Sequence, residues 1–180
     1  MVRTNGPGAV AVDAVIAGIG IKPNVDLATA AGLKVAGGIV VDELLHTSDP
    51  DIFAAGDVAS FPCAALNRRL RFEHEDNAEA MGRTAGRNMA GGTEIYEHLP
   101  FFYSDLFDLG YEAVGEIDSN MQIVEDWVEK FCKGVIYYLK DERVLGVLLW
   151  NMWGLVDGAR ELIASGRKQR PGTLIGRLRE

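Results

Sequence analysis

Residues 51–55, Asp-Ile-Phe-Ala-Ala, end abruptly on Gly56-Asp57. A short, uninterrupted apolar run predicts a strand covered on both faces of a sheet. A strand that delivers an acid to its carboxyl end places that acid where α/β folds bind ligands. Gly56 allows close backbone approach, and the Asp57 carboxylate could accept hydrogen bonds from ligand hydroxyls or cap its own loop. A second run of this kind, residues 11–18 (AVDAVIAG), is followed by a Gly/Pro/Asn turn and a short helix over residues 26–31. Residues 38–41 form a further strand candidate.

A longer helix is expected from Glu75 to the Gly91-Gly92 pair, with Glu75 and Asp76 in its first turn, as the helix dipole favours. Gly82 and Gly86 lie inside it, where a glycine costs about 1 kcal/mol against alanine. They suggest close helix–sheet packing or close approach of a ligand. Beyond residue 95 the pattern changes. Residues 111–117, 122–129, 134–139 and 144–150 read as strands, with Asp141-Glu142 as a hairpin turn. A helix over 155–164 ends at Gly166, a C-cap signal. The fold class expected is α/β plus α+β: an α/β segment, then an antiparallel-sheet-and-helix module. The division expected is 1–24, 25–95 and 96–180.

The formal net charge of −8 argues against a general nucleic-acid surface. The exception is residues 167–180, with five basic residues and one acid, expected as a solvated helix or frayed end. Cys63 and Cys132 have neither CxxC nor metal-type spacing, so no metal site is expected. No apolar run approaches the ~20 residues a membrane span needs, and a cytoplasmic location is the expectation.

The eleven residues 47–57 resemble the second flavin-binding motif of the two-dinucleotide-domain flavoproteins, in which the terminal Asp binds the ribityl chain of FAD. Residues 13–24 (DAVIAGIGIKPN) resemble the segment that leaves the NAD domain of those proteins. Further along come Arg71-Phe72-Glu73-His74-Glu75-Asp76-Asn77, Phe101-Phe102-Tyr103-Ser104-Asp105-Leu106, Gly110-Tyr111-Glu112-Ala113-Val114-Gly115 and Val147-Leu148-Leu149-Trp150-Asn151. In this order they resemble apoptosis-inducing factor and the NADH-dependent ferredoxin reductases. The resemblance implies FAD contacts at Asp57, His74, Glu75 and Tyr103, and NAD(H) contacts at Gly20, Glu73, Glu112 and Asn151. Relatives often carry His where Glu75 stands and Trp where Tyr103 stands.

No G-x-G-x-x-G occurs, nor the CxxxxC pair of the disulfide reductases. The resemblance therefore implies the C-terminal part of an FAD-dependent NAD(P)H oxidoreductase that passes electrons to a ferredoxin, a quinone or a similar acceptor. The chain alone is expected to retain neither FAD nor NAD(P)H. The alternative is a non-catalytic dimerisation or interaction module, or a truncated gene product without activity. The partner expected is a second copy or the missing N-terminal part.

Overall fold

The computed structural model describes residues 1–3, 5–6 and 8–179. A two-stranded ribbon opens the chain, β1 (Val2–Arg3) against β2 (Ala9–Val10). After α1 (Asp26–Ala30) comes a small sheet of order β3-β4-β5. In it β3 (Ile39–Val40) runs parallel to β4 (Ala59–Cys63), and β4 runs antiparallel to β5 (Arg68–Leu70). Helix α2 (Glu75–Met89) follows. A five-stranded antiparallel sheet then takes the order β6-β7-β10-β9-β8: β6 (Phe101–Leu106), β7 (Leu109–Gly115), β8 (Gln122–Glu129), β9 (Lys133–Lys140) and β10 (Arg143–Trp150). Helix α3 (Val156–Ala164) closes it.

The periodic second half forms as its pattern predicts. Asp141 and Glu142 both adopt positive φ, 51° and 65°, the twist that suits a tight antiparallel connection. Gly166 follows α3 at φ 58°, as its C-cap role requires. Strand β6, quoted as a motif in the sequence, is one the period-2 pattern does not announce.

Two predicted strands do not form. Residues 11–18 are irregular and pair with no strand among the described residues. Ile16 and Ile19 are 99% and 91% exposed. Without a neighbouring ladder, an extended apolar segment has no partner for its N–H and C=O groups. Residues 51–55 form only an isolated bridge, Phe53 with His46. Here polar side chains compete with the ladder: the Asp49 N–H donates to Thr47 Oγ1 (3.1 Å) and the Asp51 N–H to Asp49 Oδ1 (3.0 Å). They turn the chain back on residues 45–47, and the Ala54 N–H reaches the Leu45 carbonyl at 3.2 Å. The parallel strand of this region is β4, a few residues later, interrupted in sequence by Pro62.

One core runs through both halves. Val41, Phe61 and Met81 belong to the same cluster as Tyr96, Leu99, Val114, Val135, Leu149 and Ile163. Asn88, buried, staples the end of α2 to two loops: its Nδ2 donates to the carbonyls of Leu44 (2.9 Å) and Glu94 (2.8 Å), and its Oδ1 accepts from the Glu94 N–H (2.8 Å).

The basic tail is neither a solvated helix nor frayed. Leu174 is fully buried and Leu178 nearly so. Asp126, whose side chain is 1% exposed, accepts from the Gly176 N–H (2.8 Å) and is ion-paired with Arg179. Lys168 adds a surface pair with Glu142 at 2.7 Å. Charge counting could not find this, because one buried aspartate on β8 and two leucines decide it.

Arg179→Ala leaves the buried Asp126 carboxylate without its cation. Urea denaturation is expected to show a loss of about 3 kcal/mol. Lys168→Ala, breaking an exposed pair, is expected to cost less than about 1 kcal/mol. Equal losses would mean that the tail is held by its leucines and not by Asp126.

Candidate functional site

The start of α2 and the start of β6 form two walls of an open cleft of about 380 Å³ lined by Glu73, His74, Glu75, Asp76, Glu79, Phe101, Phe102 and Tyr103. His74 is the N-cap of α2, and no side chain caps that end of the helix. The first N–H groups of the helix are therefore left to water or to a ligand, at the positive end of the dipole. The His74 ring stacks on Phe102, centroids 4.6 Å apart and planes at 14°. Tyr103, 59% exposed, stands at the rim beside Phe101.

Burial holds the His74 imidazole below its ordinary pKa of 6.5, against the opposing pull of Glu73, Asp57 and Asp76. The ring is thus neutral at pH 7. A neutral, stacked ring beside unpaired helix N–H groups and an exposed tyrosine suits a flat heteroaromatic ligand rich in acceptor atoms.

The remaining predicted residues are placed differently. Asp57 is exposed on a short 3-10 turn, Gly56–Val58, entered through Gly56 at φ 76°. Its carbonyl accepts from Arg71 (3.0 Å), and Arg71 also pairs with Glu73 at 2.7 Å, so a chain of contacts runs from the Gly-Asp turn to the cleft. Glu112 lies opposite Tyr103 in the β6–β7 register. Its Oε2 is buried without a hydrogen-bond partner, and burial raises its pKa above the ordinary 4.5, partly offset by a bond from the Gly154 backbone. Asn151 is committed to its own loops: its Oδ1 accepts from the Gly110 N–H (2.7 Å), and its Nδ2 donates to the carbonyls of Cys132 (2.9 Å) and Asp108 (3.3 Å). Gly20 lies at φ 77° on the irregular, exposed N-terminal segment. Around Gly82 and Gly86 an added Cβ would meet nothing within 4 Å, so packing inside this chain does not require them.

Sequence reasoning missed one group. Asp76 binds His98 (2.6 Å), Arg160 (3.0 Å) and the Phe101 N–H (3.2 Å), joining α2, the linker between α2 and β6 (residues 90–100) and α3 behind the cleft. These partners lie up to 84 positions apart in sequence, and no local pattern signals them. Among the described residues no three or more His, Cys, Asp or Glu are gathered so that they could hold a metal ion, and no helix is long and apolar enough to cross a membrane.

Residues 2–82 match the pyridine nucleotide-disulphide oxidoreductase family. Residues 85–129 and 122–165 match the C-terminal region of mitochondrion-associated apoptosis-inducing factor. Apoptosis-inducing factor 1 of Dictyostelium discoideum is 38% identical over 86% of this chain and 32% of its own length. Putidaredoxin reductase of Pseudomonas putida is 38% identical over 90% of this chain and 38% of its own length. Among solved structures, the covalent putidaredoxin reductase–putidaredoxin complex matches at TM-score 0.81 and 34% identity, covering 90% of this chain and 39% of that one. A ferredoxin reductase from Rhodopseudomonas palustris matches at TM-score 0.76 and 30% identity, covering 86% of this chain and 38% of that one. The chain thus spans 32–39% of the length of these four proteins.

Two pH dependences follow. A carboxyl with a raised folded pKa contributes stability that is present below its unfolded pKa and lost as pH rises through the folded value. The stability of Glu112→Gln relative to the parent chain should therefore rise with pH from 4.5 upward and then level off. A histidine with a depressed folded pKa contributes stability that is present above its unfolded pKa and lost as pH falls through the folded value. His74→Gln should gain on the parent as pH falls below 6.5. Urea unfolding at a series of pH values measures both, and flat difference curves would contradict the burial of these groups.

Proposed function

We propose that this chain, which matches the pyridine nucleotide-disulphide oxidoreductase family over residues 2–82 and the C-terminal region of apoptosis-inducing factor over residues 85–129 and 122–165, supplies one wall of the flavin site of an FAD-dependent NAD(P)H oxidoreductase. The observation that carries the reading is the cleft itself: an uncapped helix terminus facing a stacked aromatic wall, with Tyr103 exposed at its rim. The residues present fit a flavin. His74 and the first N–H groups of α2 would face the acceptor edge of the ring, Tyr103 would cover its face, and Asp57 would bind the ribityl hydroxyls. The Glu112 carboxylate, opposite Tyr103 and with one oxygen unpartnered, suits the amide of a nicotinamide.

When bound, the flavin supplies two-electron acceptance from the nicotinamide and onward electron transfer. This chain's residues orient it, exclude water from one side and keep His74 neutral. The positive end of the α2 dipole would favour negative charge on a ring held there. A negative charge at Glu75, at the same end, would work against it. The electron acceptor proposed is a ferredoxin-type protein or a quinone. Support for the former comes from the putidaredoxin reductase complex and from the ferredoxin reductases among the relatives. No CxxxxC pair is present, so the chain's own residues offer no redox disulfide at the flavin.

A second reading rests on the apolar segment around residues 15–21. Val15, Ile16, Ile19 and Ile21 are more than half exposed. Such a surface suits association with a second copy or with a complementary polypeptide. A strict monomer at high concentration in sedimentation would count against self-association.

The purified chain is expected to carry no stoichiometric flavin and to oxidise no NADH, because it contains no dinucleotide-binding glycine fingerprint. Fused behind the FAD- and NAD-binding segments of putidaredoxin reductase in place of the matching region, it should restore a bound-flavin spectrum. Asp57→Ala in that chimera should weaken flavin retention about tenfold or more, the loss of a charge-assisted hydrogen bond. A folded chimera that binds no flavin would contradict the proposal.

A further inference from the structure

The cleft is a junction between two elements that the local chain does not hold together. His74 occupies the N-cap position of α2 and Phe102 lies on β6, yet their rings are nearly parallel at 4.6 Å. Something must fix β6 against the start of α2 for this stack to persist. Asp76 is two residues beyond His74. It does not serve its own helix, since no side-chain bond caps α2. Its carboxylate turns outward, and Oδ2 accepts from the backbone N–H of Phe101, the residue immediately before Phe102. One carboxylate thus lies two residues from one ring of the stack and one residue from the other.

The carboxylate is itself held. Arg160 Nη2 reaches both of its oxygens, at 3.2 Å and 3.0 Å, while Arg160 Nε donates to the Leu99 carbonyl at 2.9 Å. The guanidinium also lies over the Phe101 ring, 5.4 Å from its centroid. His98 Nε2 approaches Oδ2 at 2.6 Å from the linker. Asp76 and Arg160 are each 23% exposed at the side chain and His98 27%, so the cluster is shielded more than a surface pair. An acid kept only for the helix dipole would need none of this, and its neighbour Glu75, exposed at the same helix end, has no such set of partners among the described residues.

We propose that Asp76, locked by Arg160 and His98, is the positioning residue that sets the gap between His74 and the Phe102–Tyr103 wall, so that α3 of the sheet module governs the geometry of the ligand cleft from behind. The functional meaning rests on reading that cleft as a flavin wall. The mechanical claim concerns this chain alone.

The chain has three histidines, which makes the test direct. His74 stacks on Phe102, and His46 packs against Phe53 at 4.4 Å with the rings tilted by 43°, outside the cluster, as an internal control. Imidazole NMR of the purified chain would follow the His74–Phe102 and His46–Phe53 cross-peaks in Asp76→Asn, Arg160→Gln and Arg160→Lys. Expected is loss of the His74–Phe102 cross-peaks, with their upfield ring-current displacement, in Asp76→Asn and Arg160→Gln. Arg160→Lys should restore them in part, and the His46–Phe53 pair should stay unchanged throughout. Retention of the His74–Phe102 cross-peaks at parental intensity in Asp76→Asn and Arg160→Gln would overturn the proposal. So would loss of both pairs together, which would make the cluster a support of the whole fold. No flavin is needed, so a flavin-free chimera would defeat the functional reading without touching this result.

Discussion

The Asp76 carboxylate belongs to a helix of the first half and is satisfied by groups of the second: a backbone N–H of β6, an imidazole of the linker and a guanidinium of α3. Breaking one member of a partly buried cluster leaves the others desolvated and unpaired, which costs more than the pair contributes when intact. The two halves share a continuous apolar core, but apolar packing is not directional. Directional contacts such as this one, with Arg68–Glu116 at 3.0 Å, fix how the layers sit. The cleft lies at that seam, so its shape is a property of the junction more than of either half.

The same logic accounts for the C-terminal tail. A run of basic residues in an acidic chain looks like a solvated end. One buried aspartate, Asp126, and two leucines turn it into a strap across the sheet. In both places a single carboxylate organises a segment distant in sequence.

What was legible in the sequence was whatever is encoded locally. Strands β8, β9 and β10 carry period-2 or buried runs between clear turns, and the Asp141-Glu142 turn and α2 with its Gly91-Gly92 stop follow from local preferences. Residues 11–18 and 51–55 have the composition of buried strands but lack partner strands, so composition misled. The reverse error hid β4, whose Pro62 breaks its pattern, although Ala59, Ser60 and Phe61 are buried. At the site, His74, Glu73, Glu75 and Tyr103 came from ordered motifs and line one cleft. Asp76 sat within the same motif and was read only as a helix-dipole acid, because its partners arrive from the linker and α3.

The central claim, that the α2–β6 cleft is a flavin-binding wall, is most directly tested by titrating the purified chain with FAD at millimolar concentration, following the His74 imidazole and the backbone amides of residues 75–77 and 103 by NMR. Weak, fast-exchanging shifts confined to those positions, with His46 unmoved, are the predicted result. Shifts centred elsewhere, or none at the highest concentration, would contradict it.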